Sequence, residues 1–334
     1  MARIRDIAER AGVSSTPVSH VLNGSRPVHP DTVARVRQAI DDLQYTPNML
    51  ARSLRRRQTN TIGLLISDIE NPYFAEIAYT VEKVAYERGY NLVLCNTDES
   101  HEKEVRYVEV LFAKQVDGLI LAPVAGDHSY LAPYLARGER VVLANRYVPD
   151  IVAPTVIADD EAAMYALAKR FLEDGHRRIG AILGMETAST TLERLHALRR
   201  ALAEYGLSLD DAWQFRGQSR QAGGLAAAQA FIALPPAQRP TCVIAFNAVM
   251  HDGFLLGLAD LAPALLAEVV TGASGSSLLA RLCPSARYLV QAPSHQIGRV
   301  VSNLLLDILS GVTAWHTDCI VVPCTLVDLK HRPA

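Results

Sequence analysis

Residues 6–24, DIAERAGVSSTPVSHVLNG, decide the fold of the N-terminal part of the chain. The pattern predicts a short helix over Ile4–Ala11, which Gly12 ends because glycine readily adopts the left-handed conformation of a C′ residue. Ser14 is expected to cap a second helix that runs to Asn23. The apolar face of this second helix consists of Val18, Val21 and Leu22. Two short helices around a tight turn are therefore predicted.

A third helix is predicted from Pro30 to about Gln44, with an apolar stripe at Val33, Val36, Ile40 and Leu43. Three such helices are typical of the helix-turn-helix motif, whose second helix contacts base edges in the DNA major groove. The outward-facing candidates for base contacts on the second helix are Ser15, Thr16 and His20. The alternative is that these polar side chains only cover a solvated helix face.

The charge distribution favours DNA binding. The 334-residue chain has a formal net charge of -2, but residues 1–60 contain ten Arg, no Lys and five acidic residues, a net charge of +5. The rest contains 23 basic and 30 acidic residues, a net charge of -7. A small basic unit attached to a larger acidic one suggests a polyanion-binding module joined to a domain with another role. At about 150 residues per domain, two or three domains are expected.

Several classes of protein are disfavoured by the sequence. No apolar run reaches the roughly 18–20 residues of a membrane span, and the N-terminus does not resemble a signal peptide. Five scattered cysteines without a CxxC pair predict reduced thiols and a cytoplasmic location. The sequence has no GxGxxG, GxxxxGK[ST], HExxH or GxSxG motif, and its histidines lack the spacing of metal ligands. We therefore expect no enzyme activity, no cofactor and no metal.

Residues 45–57, YTPNMLARSLRRR, follow the third helix. They predict a helix of about two turns over Asn48–Arg55, which is too short to be stable alone. A basic segment with an exposed Leu54 could order on DNA and insert that leucine into the minor groove as a wedge. A basic interdomain linker is the alternative.

The chain after Thr61 alternates predicted strands and helices, as in a doubly wound α/β sheet. A first unit has strands at 62–67, 91–95, 117–122 and 140–144 and helices at 73–88 and 101–115. A second has strands at 179–183, 241–246 and 268–271 and a helix at 222–233. In both units, 26 residues separate a glycine of the first strand from the glycine that ends the next helix, Gly63 to Gly89 and Gly180 to Gly206. Two similar lobes with a small ligand between them are predicted.

These motifs together identify a family resemblance. DIAERAGVSSTPVSHVLNG and YTPNMLARSLR (45–55) resemble the headpiece and hinge of the LacI/GalR family of bacterial transcription regulators, and the second helix is most similar to those of the purine and ribose repressors. TNTIGLLISDIENPYFAEI (59–77), DGLILAP (117–123), GHRRIGAI (175–182) and ARYLVQAPSHQIGRVVSNLLLDIL (286–309) resemble the family's core of two doubly wound lobes, like that of periplasmic binding proteins.

The resemblance implies an all-α helix-turn-helix headpiece at 1–46, a hinge at 47–60 and an effector-binding and dimerisation domain at 61–334. The first lobe would comprise about 61–158 and 292–320, and the second about 159–290 and 321–330. It further implies a homodimeric repressor on a pseudo-palindromic operator with a central C·G/G·C step. The residues expected at the DNA are Ser15, Thr16, His20, Arg26, Asn48, Arg52, Leu54 and Arg55.

Two residues of the headpiece depart from the family pattern. Pro17 stands where the family usually has Thr, and His29 stands where a Ser usually caps the third helix. Pro17 disfavours the helical conformation at Thr16 and removes a hydroxyl. Weaker or differently specific DNA binding is expected.

The effector-binding residues that the resemblance implies are Asp68, Tyr73, Phe74, Asn145, Arg194, Ser219, Asn247 and Ser274. The family's pattern fails at three positions. Ala248 replaces a motif Asp, Ser274 replaces a carboxylate that often binds sugar hydroxyls, and Ser219 stands where an aromatic ring often stacks. A free pyranose is disfavoured, whereas a different or anionic small molecule, or a degenerate site, is favoured. A stand-alone solute-binding protein, which shares the fold, is a further alternative.

Overall fold

The computed structural model describes residues 3–23, 26–45 and 58–330. The chain divides into two compact units, residues 1–58 and 59–334. In the described part of the chain, every helix is too short or too polar to cross a membrane.

The N-terminal unit contains three helices, α1 (Ile4–Ala11), α2 (Ser15–Asn23) and α3 (Pro30–Asp42). Gly12 follows α1 with a φ of 64°, as predicted for a C′ glycine. The core between the helices is formed by buried apolar side chains at helical spacing, Ile7, Ala8, Ala11, Val18, Val36 and Ala39. The predicted helix-turn-helix arrangement is confirmed, although α3 ends two residues earlier than expected.

The first lobe of the larger unit is a six-stranded, all-parallel sheet with the order β11-β5-β4-β3-β1-β2. Its strands are β1 (Thr61–Ile66), β2 (Asn91–Asn96), β3 (Gly118–Leu121), β4 (Val141–Ala144), β5 (Thr155–Ala158) and β11 (Cys319–Val322). Its helices are α4 (Pro72–Glu87), α5 (His101–Ala113), α6 (Ala132–Ala136) and α13 (Ser294–Ser310). Continuous apolar runs form the central strands because both faces of the sheet are buried.

The second lobe has a sheet with the order β12-β10-β9-β8-β6-β7, in which only the β10–β12 pair is antiparallel. Its strands are β6 (Ile179–Leu183), β7 (Gln214–Arg216), β8 (Cys242–Ala245), β9 (Val270–Ser274), β10 (Ala286–Gln291) and β12 (Thr325–Asp328). Its helices are α7 (Asp160–Glu173), α8 (Ser189–Glu204), α9 (Gln221–Ala233), α10 (Ala248–Leu261), α11 (Pro263–Glu268) and α12 (Leu278–Leu282).

The two lobes repeat the same opening unit, as the glycine spacing predicts. Gly63 and Gly180 lie in the first strands β1 and β6, and the helices that follow, α4 and α8, are both 16 residues long. The glycines after these helices, Gly89 and Gly206, have φ values of 77° and 67°. The prediction of two similarly built, doubly wound lobes is confirmed.

One predicted strand was placed wrongly. The sequence suggested a strand at 268–271, but Glu268 ends helix α11 and β9 runs over Val270–Ser274. The Ala-Leu-Leu-Ala run after Pro263 favours a helix, and the small residues of Gly272-Ala-Ser274 fit a strand enclosed between β8 and β10. Strands β5, β7, β10, β11 and β12 were not predicted from the sequence.

Helices α9 and α10 approach each other unusually closely. A Cβ atom added to Gly253 would lie 2.1 Å from the carbonyl oxygen of Gln221, and one added to Gly224 would lie 2.1 Å from that of Met250. Only glycine permits this contact. This packing holds α10 against α9 directly after the end of β8.

Candidate functional site

Helix α2 packs on the headpiece core through Val18, with the partly buried Val21 and Leu22 beside it. Val18 is completely buried, while Ser15 and Thr16 at the start of the helix are exposed and His20 is half-buried. Arg26 is exposed as well. Ser15 and Thr16 can therefore reach a partner on that side of the helix.

Pro17 does not disrupt α2. Pro17 is the third residue of the helix, a position at which a backbone N–H would have no partner within the helix. Thr16 is helical despite the proline that follows it. The helix therefore tolerates Pro17, although the proline disfavours the helical conformation at Thr16. His29 makes no side-chain capping bond to α3, as its replacement of a Ser suggested. The hinge candidates Asn48, Arg52, Leu54 and Arg55 lie outside the described residues.

Helices α1 and α3 are joined by an ion pair on the headpiece surface. A nitrogen of the Arg10 guanidinium lies 2.7 Å from a carboxylate oxygen of Asp42. Hydrogen bonds from Gln38 and Arg10 lower the pKa of Asp42, so the carboxylate stays ionised. Arg10 therefore has a structural partner within the headpiece.

In the larger unit, all eight predicted effector residues line one pocket between the lobes: Asp68, Tyr73, Phe74, Asn145, Arg194, Ser219, Asn247 and Ser274. Several of them lie at or just beyond carboxyl ends of strands, which is where ligands bind in open α/β sheets. The space open to the centre of a water molecule is about 70 Å³, several times the roughly 10–15 Å³ that one water needs. The pocket can thus hold a compact molecule.

Arg194 is held in the pocket wall by two partners. Its Nη2 lies 2.7 Å from a carboxylate oxygen of Asp160, and its Nη1 donates to the carbonyl oxygen of Phe246. Asp160 is 3% exposed and is the first residue of α7, where the helix dipole favours an anion. The buried Nε of Arg194 has no hydrogen-bond partner among the described residues. The guanidinium is therefore fixed in position, and its Nε–H has no partner among the described residues.

Two further buried donors belong to pocket residues. The hydroxyl of Tyr73 and the Nε of Arg146 have no hydrogen-bond partner within the described ranges. Burial raises the pKa of Tyr73, and the nearby Asp160 carboxylate raises it further, so the phenol stays protonated and can donate. Unpaired buried donors are costly, by about 1–3 kcal/mol each, and a ligand that offers acceptors could satisfy them.

Arg146 and Glu99, which were not predicted from the sequence, form a buried bidentate ion pair. The Arg146 nitrogens lie 2.7 and 2.9 Å from the two Glu99 carboxylate oxygens, and Nη1 also donates to the carbonyl of Pro123. The pair connects the ends of strands β2, β3 and β4. The position of Arg146 directly after Asn145 at a strand end was the available signal. Other unpredicted lining residues include Glu76, Thr190, Thr191 and Met250.

Three of the predicted residues also have structural roles. Asn247 caps α10 by accepting from the Met250 N–H at 2.7 Å, and it donates to the Ser219 carbonyl. The Ser219 hydroxyl accepts from the Met185 N–H. Ser274 is buried at the end of β9. At one departure from the family pattern, Ala248 lies opposite Gly275. A Cβ atom added to Gly275 would be 3.1 Å from the Ala248 Cβ. This part of the wall offers no carboxylate.

Backbone conformations that side chains rarely adopt are concentrated at the pocket. Eight described residues other than glycine have positive φ values, and five of them follow strand ends around the cleft: Asp98, Glu99, Asn145, Gln218 and Ser219. Such conformations typically cost about 1–3 kcal/mol and cluster at functional sites. Their location supports a binding role for the cleft.

A helix-turn-helix headpiece followed by a two-lobed domain with an interlobe pocket defines a class of ligand-responsive DNA-binding regulator. Residues 3–48 match the family described as bacterial regulatory proteins, lacI family. Residues 59–329 match the family described as periplasmic binding proteins and sugar binding domain of LacI family. The chain therefore belongs to the LacI family of bacterial transcription regulators, as its motifs suggested.

Individual relatives agree with this assignment. The HTH-type transcriptional repressor PurR of Photobacterium profundum is 32% identical over 309 residues, 92% of each chain. The structure of the transcriptional regulator CelR–cellobiose complex is 27% identical, with a TM-score of 0.71 over 99% of this chain and 100% of that one. The lac repressor dimer bound to operator and the anti-inducer ONPF has a TM-score of 0.84 at 19% identity, over 98% and 97% of the two chains. This last likeness shows the fold alone.

Proposed function

We propose that the chain is a homodimeric transcription repressor that acts in the cytoplasm, binds a pseudo-palindromic operator through two headpieces and responds to a small-molecule effector. The observation that carries this proposal is the interlobe pocket, lined by all eight predicted residues, in a chain that also bears a helix-turn-helix headpiece. Neither catalysis nor a cofactor is part of the proposal.

DNA recognition is assigned to Ser15, Thr16 and His20 on α2, with Arg26 beside them. The exposed hydroxyls at the start of α2 can bond base edges, and the +5 charge of residues 1–60 supplies attraction to phosphates. We assign Asn48, Arg52, Leu54 and Arg55 to the hinge on the sequence resemblance, with Leu54 entering the central C·G/G·C step.

Dimerisation is supported by apolar side chains exposed on both lobes. Tyr79 and Tyr86 on α4 are 64% and 78% exposed, and Leu282 at the end of α12 is 82% exposed. Further exposed residues are Val93, Leu94, Leu225 and Leu261. Exposed apolar side chains mark a protein–protein contact where they form one patch. The lac repressor, which shares the fold, is a dimer on its operator.

The effector is proposed to be a sugar, sugar phosphate or related metabolite that brings hydrogen-bond acceptors to Tyr73, Arg146 and Arg194. A regulator with a degenerate effector site is the second candidate, because Ala248 and Gly275 leave part of the wall without polar groups. A stand-alone solute-binding protein is the third and least supported.

Two measurements test the proposal. The full-length protein is first used to select operators from random DNA, and binding is followed by fluorescence anisotropy at several salt concentrations. Affinity should fall steeply with salt, and the absence of salt-dependent DNA binding would favour a solute-binding protein. Calorimetry then screens sugars, sugar phosphates and nucleobases. Binding of one of them supports the effector role, and no heat across the panel supports the degenerate site.

A further inference from the structure

Arg220 joins the two lobes across the mouth of the pocket. It belongs to the second lobe, as the residue that precedes α9, and its guanidinium reaches the first lobe. Nη2 lies 2.5 Å from a carboxylate oxygen of Asp98 and 3.2 Å from the Asp98 carbonyl oxygen, and Nη1 lies 3.4 Å from a carboxylate oxygen of Asp68. One side chain therefore contacts the ends of two first-lobe strands, β1 and β2.

These contacts differ from every other ion pair in residues 3–23, 26–45 and 58–330. The others lie within one lobe or within the headpiece, whereas both Arg220 pairs cross between the lobes. Asp68 is also a pocket residue with a side chain only 8% exposed, and Arg220 is the cation beside it. Lys103 lies 3.5 Å from Asp98 but belongs to the same lobe.

The two loops that Arg220 joins contain residues in backbone conformations that side chains rarely adopt. Asp98 has a φ of 55°, and Ser219, next to Arg220, has a φ of 59°. The hydrogen bond from Arg220 lowers the pKa of Asp98, whereas burial raises the pKa of Asp68. A guanidinium that bridges two carboxylates loses all these contacts when the lobes separate, since they are made only across the cleft.

We propose that Arg220 is a positioning residue that holds the two lobes closed over the pocket by pairing with Asp98 and Asp68. Closure is then an intrinsic equilibrium of this chain, which an effector shifts through its different affinity for the open and closed forms. The inference concerns lobe closure without a ligand, so it can fail while the proposed repressor function stands.

The experiment measures interlobe distance in the full-length protein by pulsed electron paramagnetic resonance. Spin labels are attached through unnatural amino acids at the exposed positions Glu109 on α5 and Arg199 on α8, so the native cysteines stay in place. Labelled subunits are diluted with unlabelled ones to suppress distances between subunits. The variants are Arg220→Gln, Asp98→Asn and the charge exchange R220D/D98R, and Arg216→Gln is the matched control because its ion pair with Glu186 lies within the second lobe.

R220Q and D98N should each increase the open population severalfold, and the charge exchange should restore part of the closed population. Raising NaCl from about 0.05 to about 0.5 M should open the unmodified protein and R216Q but leave R220Q unchanged, because salt screens exposed ion pairs. If R220Q does not fold, D98N carries the test. Distance distributions of R220Q or D98N that match the unmodified protein at low salt would overturn the proposal.

Discussion

Removing either partner of the Asp160–Arg194 ion pair should strongly destabilise the second lobe. The charged atoms are 2.7 Å apart, and their side chains are 2% and 14% exposed. Arg194→Met leaves the Asp160 carboxylate buried without its cation, which typically costs about 3–5 kcal/mol. The dipole at the N-terminus of α7 stabilises the remaining anion by about 0.5 kcal/mol, so the free energy of unfolding should fall by about 3 kcal/mol. Asp160→Asn should cost less, about 2 kcal/mol, because Arg194 keeps its bond to the Phe246 carbonyl.

The double variant D160N/R194M distinguishes pairing from general damage. The double variant leaves no unpaired charge. Its decrease in the free energy of unfolding should therefore be smaller than the sum of the two single decreases, by at least about 1.5 kcal/mol. Urea unfolding is followed by tryptophan fluorescence in a Trp315→Phe background, in which Trp213 alone reports the second lobe. The exposed pair Arg200–Glu161 joins the same two helices at 2.6 Å and provides a control, since R200M should cost less than about 1 kcal/mol. Additive losses within about 0.5 kcal/mol would refute the reasoning.

Four further variants test other parts of the molecule. Gly253→Ala should lower the free energy of unfolding in urea by about 2 kcal/mol, because the overlap of the new Cβ with the Gln221 carbonyl outweighs the roughly 1 kcal/mol that Ala gains over Gly in a helix. The control D260A, on the exposed face, should change the free energy of unfolding by less than about 0.5 kcal/mol. Burial raises the pKa of Glu193 to about 7, above the ordinary 4.5, so the unfolded chain ionises first and stability falls as pH rises between these values. The free energy of unfolding at about pH 5 is compared with that at about pH 8. In E193Q its decrease between these pH values should be smaller by about 1 kcal/mol, a figure that allows for the partial exposure of Glu193. Val18→Ala should cost the headpiece about 2 kcal/mol and weaken operator binding in anisotropy. Leu54→Ala should weaken operator affinity, and unchanged affinity would contradict the hinge hypothesis.

Much of the fold could be predicted because local signals and tertiary packing agree. The apolar spacing in α2 and the glycines at 12, 89 and 206 specify helices and their ends without reference to distant residues. The misplaced strand β9 shows the limit of such signals. Its residues Gly272–Ser274 have little strand propensity, and they form a strand because β8 and β10 enclose them.

Pocket residues could be predicted where each one matches the family pattern by itself. They could not be predicted where two residues form an ion pair. The eight predicted effector residues were each taken from the family pattern, and all of them line the pocket. Asp160, Glu99 and Arg220 were not predicted, because an ion pair between strand ends or across lobes depends on distances that the sequence does not encode locally. The bidentate Arg146–Glu99 contact, for example, joins residues 47 positions apart.

The structure also bears on the choice between a working and a degenerate effector site. A pocket without a ligand-binding role gains nothing from buried donors that lack partners, and each costs about 1–3 kcal/mol. Yet the Tyr73 hydroxyl and the Nε atoms of Arg146 and Arg194 have no hydrogen-bond partner among the described residues, on side chains otherwise fixed by packing or ion pairs. The cations are already neutralised by Glu99 and Asp160, so what the site offers is directed hydrogen bonding rather than net positive charge. The geometry therefore favours a working site for a compact ligand rich in oxygen acceptors, such as a sugar, sugar phosphate or related metabolite, over an eroded site.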